Sequence, residues 1–165
     1  MAVTVGQRNV KDTPENNQLR AVTKAQALAL HTIKIASNKN VFDEQYMETF
    51  TNKIINMATS IYLDCMSANN IFVDSEDMWK IRSKLQVRAK MNCNNMLGMI
   101  ELSRVLYKLR GKKVVYWTNI VIETRNLIGK WHNSDKKRYT EKLEKIKEEK
   151  EKSQRKEEIS VQDGE

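Results

Sequence analysis

The chain has one proline and five glycines in 165 residues, so it has few of the residues that build tight turns. Proteins made of β-strands need frequent turn residues, and no alternating Val/Ile/Tyr-rich segment bounded by them is present. These absences favour an all-α protein. The length suits one domain with tails.

Long apolar runs are also missing. No stretch approaches the ~18 apolar residues of a membrane-spanning helix, and the N-terminal segment lacks the apolar run of a secretory signal peptide. The two cysteines, Cys65 and Cys93, form no CxxC pattern and lie among apolar neighbours. We therefore expect buried free thiols and a cytoplasmic protein.

Helical periodicity predicts four amphipathic helices. Asp43 is the expected N-cap of the second helix, and Asp74 or Ser75 that of the third. Gly111 is expected to end the third helix and Ser134-Asp135 to break or re-cap the chain after the fourth. The predicted helices span residues 17–37, 43–70, 75–110 and 113–132.

The apolar stripes of the last two helices define their expected buried faces. For the third helix the stripe is Met78, Ile81, Leu85, Ala89, Asn92, Met96, Met99, Ser103 and Leu106. For the fourth it is Trp117, Ile120, Val121, Thr124, Leu127, Ile128 and Trp131. Four such helices with short connections predict an antiparallel up-down four-helix bundle with a charged helical C-terminal extension.

The predicted organisation has three parts: a disordered leader over residues 1–16, the bundle over 17–135, and a Lys/Glu-rich helical or disordered tail over 136–165. The segment from residue 132 onward has ten basic and ten acidic residues. The net charge of +8 therefore belongs to residues 1–131, which hold nineteen bases and eleven acids.

Acids are nearly absent from residues 79–113, which hold ten basic residues and one acid, Glu101. Solvated helix faces usually mix both signs, so this segment favours an anionic partner, with nucleic acid first. Arg82 and Arg88 border the buried face, where their stems can cover apolar surface, and only Arg88 of the two belongs to the predicted surface. The predicted nucleic-acid-binding residues are Lys80, Lys84, Arg88, Lys90, Arg104, Lys108, Arg110, Lys112 and Lys113.

Few aromatic residues accompany these bases. Trp79 and Tyr107 are the candidate rings for base stacking, since Trp117 and Trp131 lie on the apolar stripe of the fourth helix. Readers of single strands stack bases on exposed aromatic rings, so we expect recognition of backbone or shape instead. A solvated face, with bases favoured near a helix C-terminus, is the non-functional interpretation.

Catalytic signatures are missing. His31 and His132 have no Cys or carboxylate at ligand spacing, and no nucleophilic triad or Gly-rich phosphate loop is visible. We expect no enzymatic activity, no metal and no cofactor.

Scattered positions over roughly residues 28–139 resemble a family of bacterial and phage four-helix-bundle proteins encoded beside reverse transcriptases. These are the accessory variability determinants of diversity-generating retroelements, which are similar to proteins of rRNA intervening sequences. The matching positions are Thr32-Ile33, Ser37-Asn38, Phe42, Tyr46, Ile54, Ala68-Asn69, Tyr116-Trp117-Thr118, Leu127, Lys130-Trp131, Ser134-Asp135 and Arg138-Tyr139.

The resemblance implies a pentameric basic ring without an active site, which binds a reverse transcriptase and its template RNA and supports mutagenic cDNA synthesis. The expected partners are therefore a reverse transcriptase, RNA and, as a further ligand, DNA. The alternative is a structural protein–protein module whose basic face docks an acidic partner without nucleic acid. No membrane partner is expected.

Overall fold

Four α-helices fill most of the computed structural model, which describes residues 14–162 and the side chains of residues 17–155. They are α1 (Pro14–Ala36), α2 (Asn52–Asn70), α3 (Glu76–Leu106) and α4 (Gly111–Gln162). α1 packs against α2 and α4, and α3 packs against the same two helices. The predicted all-α four-helix bundle is confirmed, with no strand between residues 14 and 162. Residues 1–13 of the predicted leader lie outside the described residues.

Two short helical turns, which the apolar pattern does not predict, precede α2. Asp43 caps a 3₁₀ turn (Glu44–Tyr46), accepting a hydrogen bond from the Gln45 amide at 2.9 Å. A π-helical turn (Met47–Thr51) follows before α2 begins. In this turn the Thr51 hydroxyl is 3.0 Å from that of Tyr107, which ties the start of α2 to the end of α3.

The core is centred on α4. All seven residues of its predicted stripe are buried, including both tryptophans with no exposed surface. The Trp117 Nε1 donates to Thr32 Oγ1 at 3.0 Å, so the buried indole has its partner inside the bundle. Cys65 and Cys93 are buried free thiols, as predicted.

The predicted stripe of α3 is wrong in the first half of the helix. Ile81 is 46% exposed, whereas Arg82 and Gln86 are buried. Both buried side chains donate to the Asp135 carboxylate, which offsets part of the cost of their removal from water. The buried Gln86 Oε1 has no partner among the described residues. In the second half Ala89, Met96 and Ser103 are buried as predicted, whereas Leu106 is 38% exposed. The helix is continuous through the weak helix formers at 92–98.

The predicted end of α3 and start of α4 are also wrong. α3 ends at Leu106, and Gly111 begins α4 instead of ending α3. The left-handed residue after α3 is Lys108, with φ of 50°. The Leu109 amide donates to the Arg104 carbonyl at 3.1 Å, which is the bond of a Schellman motif.

α4 does not break at Ser134-Asp135, contrary to the prediction. Asp135 is 5% exposed and accepts hydrogen bonds from Arg82, Gln86 and Arg138. Aspartate often caps helix ends, but this one lies within α4 and binds side chains. Beyond it, the Tyr139 ring stacks on Trp79 with 5.2 Å between centroids. Residues 141–155 are all exposed. None of the described helices combines the length and apolar character required to cross a membrane.

Candidate nucleic-acid interface

Three of the nine predicted phosphate-binding residues are already paired with carboxylates. Lys80 Nζ lies 2.8 Å from Glu76, and Arg104 Nη2 lies 2.6 Å from Glu101. Arg88 holds the buried carboxylate of Asp64 with two hydrogen bonds, its Nε at 2.8 Å. These hydrogen bonds lower the pKa of Glu76 and Glu101 below their usual range and raise those of Lys80, Arg88 and Arg104. Each pair adds little net charge to its surface.

The other six make no ion pair with residues 17–155. They divide into two groups by position. Lys84 and Lys90 lie on α3, and Lys90 leans toward α4: a β-carbon on Gly129 would lie 3.8 Å from its Nζ. The remaining four flank the α3–α4 connection and are called here the turn cluster: Lys108, Arg110, Lys112 and Lys113.

The nine residues therefore do not form one continuous site. Lys80, Lys84 and Arg88 border one shallow depression on the outer face of α3, together with the exposed apolar side chains of Val87 and Met91. At 1.5 Å per residue, Lys80 and Arg104 are about 36 Å apart along the helix. The turn cluster lies beyond Arg104, at the end of the bundle.

The turn cluster surrounds the N-terminus of α4. Lys112 and Lys113 occupy the first turn of this helix, which contains no acid. Helix N-termini carry partial positive charge and unpaired amides, so cations there are unfavourable and anions are favoured. The non-functional interpretation, bases favoured at a helix C-terminus, fits Arg104 in the last turn of α3 but not Lys112 or Lys113.

α1 adds a further cation to this end of the bundle. Lys34, in the last turn of α1, faces Lys112 and Lys113 across an open cavity of about 440 Å³. His31 and Tyr116 line the same cavity. Sequence patterns did not indicate Lys34, because it lies more than 70 residues before the turn cluster in the chain.

Both aromatic candidates, Trp79 and Tyr107, pack against other rings of the bundle. The Tyr107 ring packs against Phe42, with 4.4 Å between centroids, and is half-buried. Trp79 is sandwiched with His132 and Tyr139 at centroid distances of 6.0 and 5.2 Å. Neither ring is free to stack on a base.

Arg82 lies in the interior, whereas the sequence pattern placed it only at the border of the buried face. Its Nη1 donates to the Ile71 carbonyl at 2.8 Å and its Nη2 to Gln18 at 3.2 Å. Its guanidinium lies 5.2 Å from the centre of the Trp131 ring. One of the ten bases between residues 79 and 113 therefore stabilises the fold and contributes nothing to the surface field.

Comparisons with protein-family models, curated proteins and solved structures found no match to this chain. The resemblance to the retroelement accessory proteins stays a prediction. The positions that carry it include core residues of the observed bundle, namely Thr32, Phe42, Trp117 and Trp131.

Proposed function

We propose that this chain is a non-enzymatic nucleic-acid-binding accessory protein, which holds a reverse transcriptase and its template RNA together during mutagenic cDNA synthesis. The observation that carries the nucleic-acid part is the turn cluster. Its four cations have no acidic partner among residues 17–155, and two of them occupy the first turn of α4, where they oppose the helix dipole. This arrangement lowers the stability of the folded chain, and it provides cations beside a helix N-terminus that can bind phosphate.

The reverse transcriptase and the retroelement enter through the family resemblance, as does a pentameric ring. A ring would multiply the contacts of each turn cluster through avidity. Light scattering coupled to size-exclusion chromatography measures the subunit number, and a mass other than five chains contradicts the pentamer.

The RNA assignment is tested by a salt titration of binding to fluorescent single-stranded RNA. Replacing Arg110, Lys112 and Lys113 with Gln removes three phosphate contacts. The slope of log K against log salt should fall in magnitude by about 2, from ~0.7 per contact. The matched control replaces Lys145, Lys147 and Lys150 with Gln, the same charge change on exposed residues of α4.

An equal decrease of the salt slope in the two triple variants would show that RNA binding depends only on the total charge of the protein. An unchanged slope in the first variant would move the RNA surface away from the turn cluster. Either outcome contradicts the proposal.

A purely structural protein–protein module remains the second candidate, and the outer face of α3 favours it. Val87, Met91, Leu102 and Val105 expose 42–64% of their surface there. Apolar side chains beside already neutralised cations suit a protein partner better than phosphates. Salt-insensitive binding to a protein, without RNA binding, would support this function against the first.

A further inference from the structure

The cavity between the end of α1, the following loop and the start of α4 has both apolar and cationic walls. Ile35, Val41 and Leu109 supply the apolar part, and Lys34, Lys112 and Lys113 supply three ammonium groups. Its volume of about 440 Å³ lies within the ~300–1,000 Å³ range of small-ligand sites. We call it the His31 pocket. A ligand suited to it has a flat apolar body and negative charge.

His31 lines this pocket with a partly exposed ring. Its Nε2 is buried and has no hydrogen-bond partner among the described residues. An unpaired buried polar group is unfavourable, and His31 Nε2 is one of five such side-chain atoms among the described residues. Burial, and then the charge of Lys34, lowers the pKa of His31, which keeps the ring neutral near pH 7.

Tyr116 supplies an exposed aromatic ring. It is 58% exposed and contacts the edge of His31, with ring centroids 4.9 Å apart at 75°. This edge-on contact fixes the tyrosine ring beside the pocket. Of the aromatic side chains near the turn cluster, Tyr107 and Trp117 are packed inward, so Tyr116 is the ring available for stacking.

We propose that the His31 pocket accepts one unstacked base of a single-stranded nucleic acid. The base stacks on Tyr116 beside the His31 ring, and the flanking phosphates lie on Lys34, Lys112 and Lys113. The inference rests on the proposed nucleic-acid function and adds a base contact to it. The turn cluster alone binds backbone, whereas this pocket requires a base.

The test compares two probes of equal charge: a ten-nucleotide uridine RNA and its abasic ribose-phosphate counterpart. The uridine RNA should bind the wild-type chain about 5- to 150-fold more tightly, the usual range for one base–aromatic stack. Tyr116→Ala should bring this ratio close to one without changing affinity for the abasic strand. Phe72→Ala, which removes another exposed ring, is the control and should keep the wild-type ratio.

The outcomes separate the pocket from the proposed function. Equal and salt-dependent binding of both probes by the wild-type chain overturns the pocket alone. A ratio that survives Tyr116→Ala, or is lost equally in Phe72→Ala, also overturns it. Binding of neither probe overturns the nucleic-acid function and the pocket with it. Tyr116-dependent binding to phosphatidylserine vesicles, with equal affinity for both probes, would assign the pocket to a lipid and contradict the inference.

Discussion

The Arg82 guanidinium and the Asp135 carboxylate form a buried ion pair between α3 and α4, with Nε 2.8 Å from Oδ2. Both side chains are less than a tenth exposed. Gln86 donates to the same carboxylate oxygen at 2.7 Å, and Arg138 donates to the other one. The pair is thus part of a hydrogen-bonded network that fixes the register of α3 against α4.

Removing the carboxylate of this network should be strongly destabilising. Asp135→Ala leaves Arg82 buried without its partner, so we expect the free energy of unfolding to fall by about 3–5 kcal/mol. Urea denaturation followed by circular dichroism measures it. Glu144→Ala, at an exposed position of the same helix, is the control and should change stability by less than ~0.5 kcal/mol. A similar small loss for Asp135→Ala would contradict the role assigned to the network.

Glycine should be preferred over lysine in the left-handed conformation at residue 108. Lys108 has φ of 50° at the C-terminal end of α3, where a β-carbon costs about 1 kcal/mol. Lys108→Gly should therefore raise the free energy of unfolding by up to about 1 kcal/mol. Lys145→Gly is the control, since that exposed residue lies inside α4 and away from its ends, and it should not be stabilising. Unchanged or lower stability in Lys108→Gly would count against the Schellman motif.

The turn cluster should show a trade-off between stability and binding. Replacing Lys112 and Lys113 with Glu places acids in the first turn of α4, which should raise unfolding stability by about 0.3–1 kcal/mol for each substitution. The same double variant should lose at least ~10-fold in RNA affinity at 0.1 M salt, because two phosphate contacts are removed. Thermal unfolding and fluorescence anisotropy measure the two effects.

As a control, replacing Lys145 and Lys147 with Glu makes the same charge change away from the helix terminus. It should leave both properties nearly unaltered. A double variant at Lys112 and Lys113 that is both less stable and fully RNA-binding would reverse the prediction.

Stability should decrease as the pH falls below about 6.5, the ordinary pKa of histidine. Burial lowers the pKa of both His31 and His132; Lys34 adds to this for His31, while Asp135 partly opposes it for His132. Between the lowered pKa and 6.5 the unfolded chain binds more protons than the folded one. The stabilisation is therefore present above 6.5 and is lost as the pH falls through the folded pKa.

Urea midpoints between pH 5 and 8 test this dependence against a His31→Gln/His132→Gln variant. Carboxylates titrate in both proteins, so the difference between the curves isolates the histidines. Parallel curves would show that neither histidine has a lowered pKa in the folded chain.

The sequence patterns predicted the fold better than they predicted the site. The α4 stripe from Trp117 to Trp131 follows apolar periodicity, which side-chain type alone reveals, and it is confirmed. The α3 pattern failed at Ile81 and Arg82, because apolar periodicity cannot identify a charge whose partner lies more than 50 residues later. Asp135 was expected near a helix break for the same reason.

At the candidate site, counting charges along the sequence identified the basic segment. It did not show that some of these bases are paired with carboxylates and that the rest lie in separate groups. Local pairing of Lys80, Arg88 and Arg104 depends on which acids lie nearby in three dimensions, and Asp64 comes from another helix. Lys34 and His31 reach the turn cluster only because α1 packs against α4. α4 begins at Gly111 instead of residue 113, so Lys112 lies with Lys113 inside its first turn, where cations oppose the helix dipole.

The unbroken length of α4 makes it a molecular ruler. Its 52 residues extend about 78 Å at 1.5 Å per residue. One end lies at the turn cluster and the other in the charged extension. Anything held at one end is therefore kept at a set distance and rotational phase from anything held at the other. Inserting a single residue into the exposed part would shift that distance by about 1.5 Å and turn the phase by about 100°.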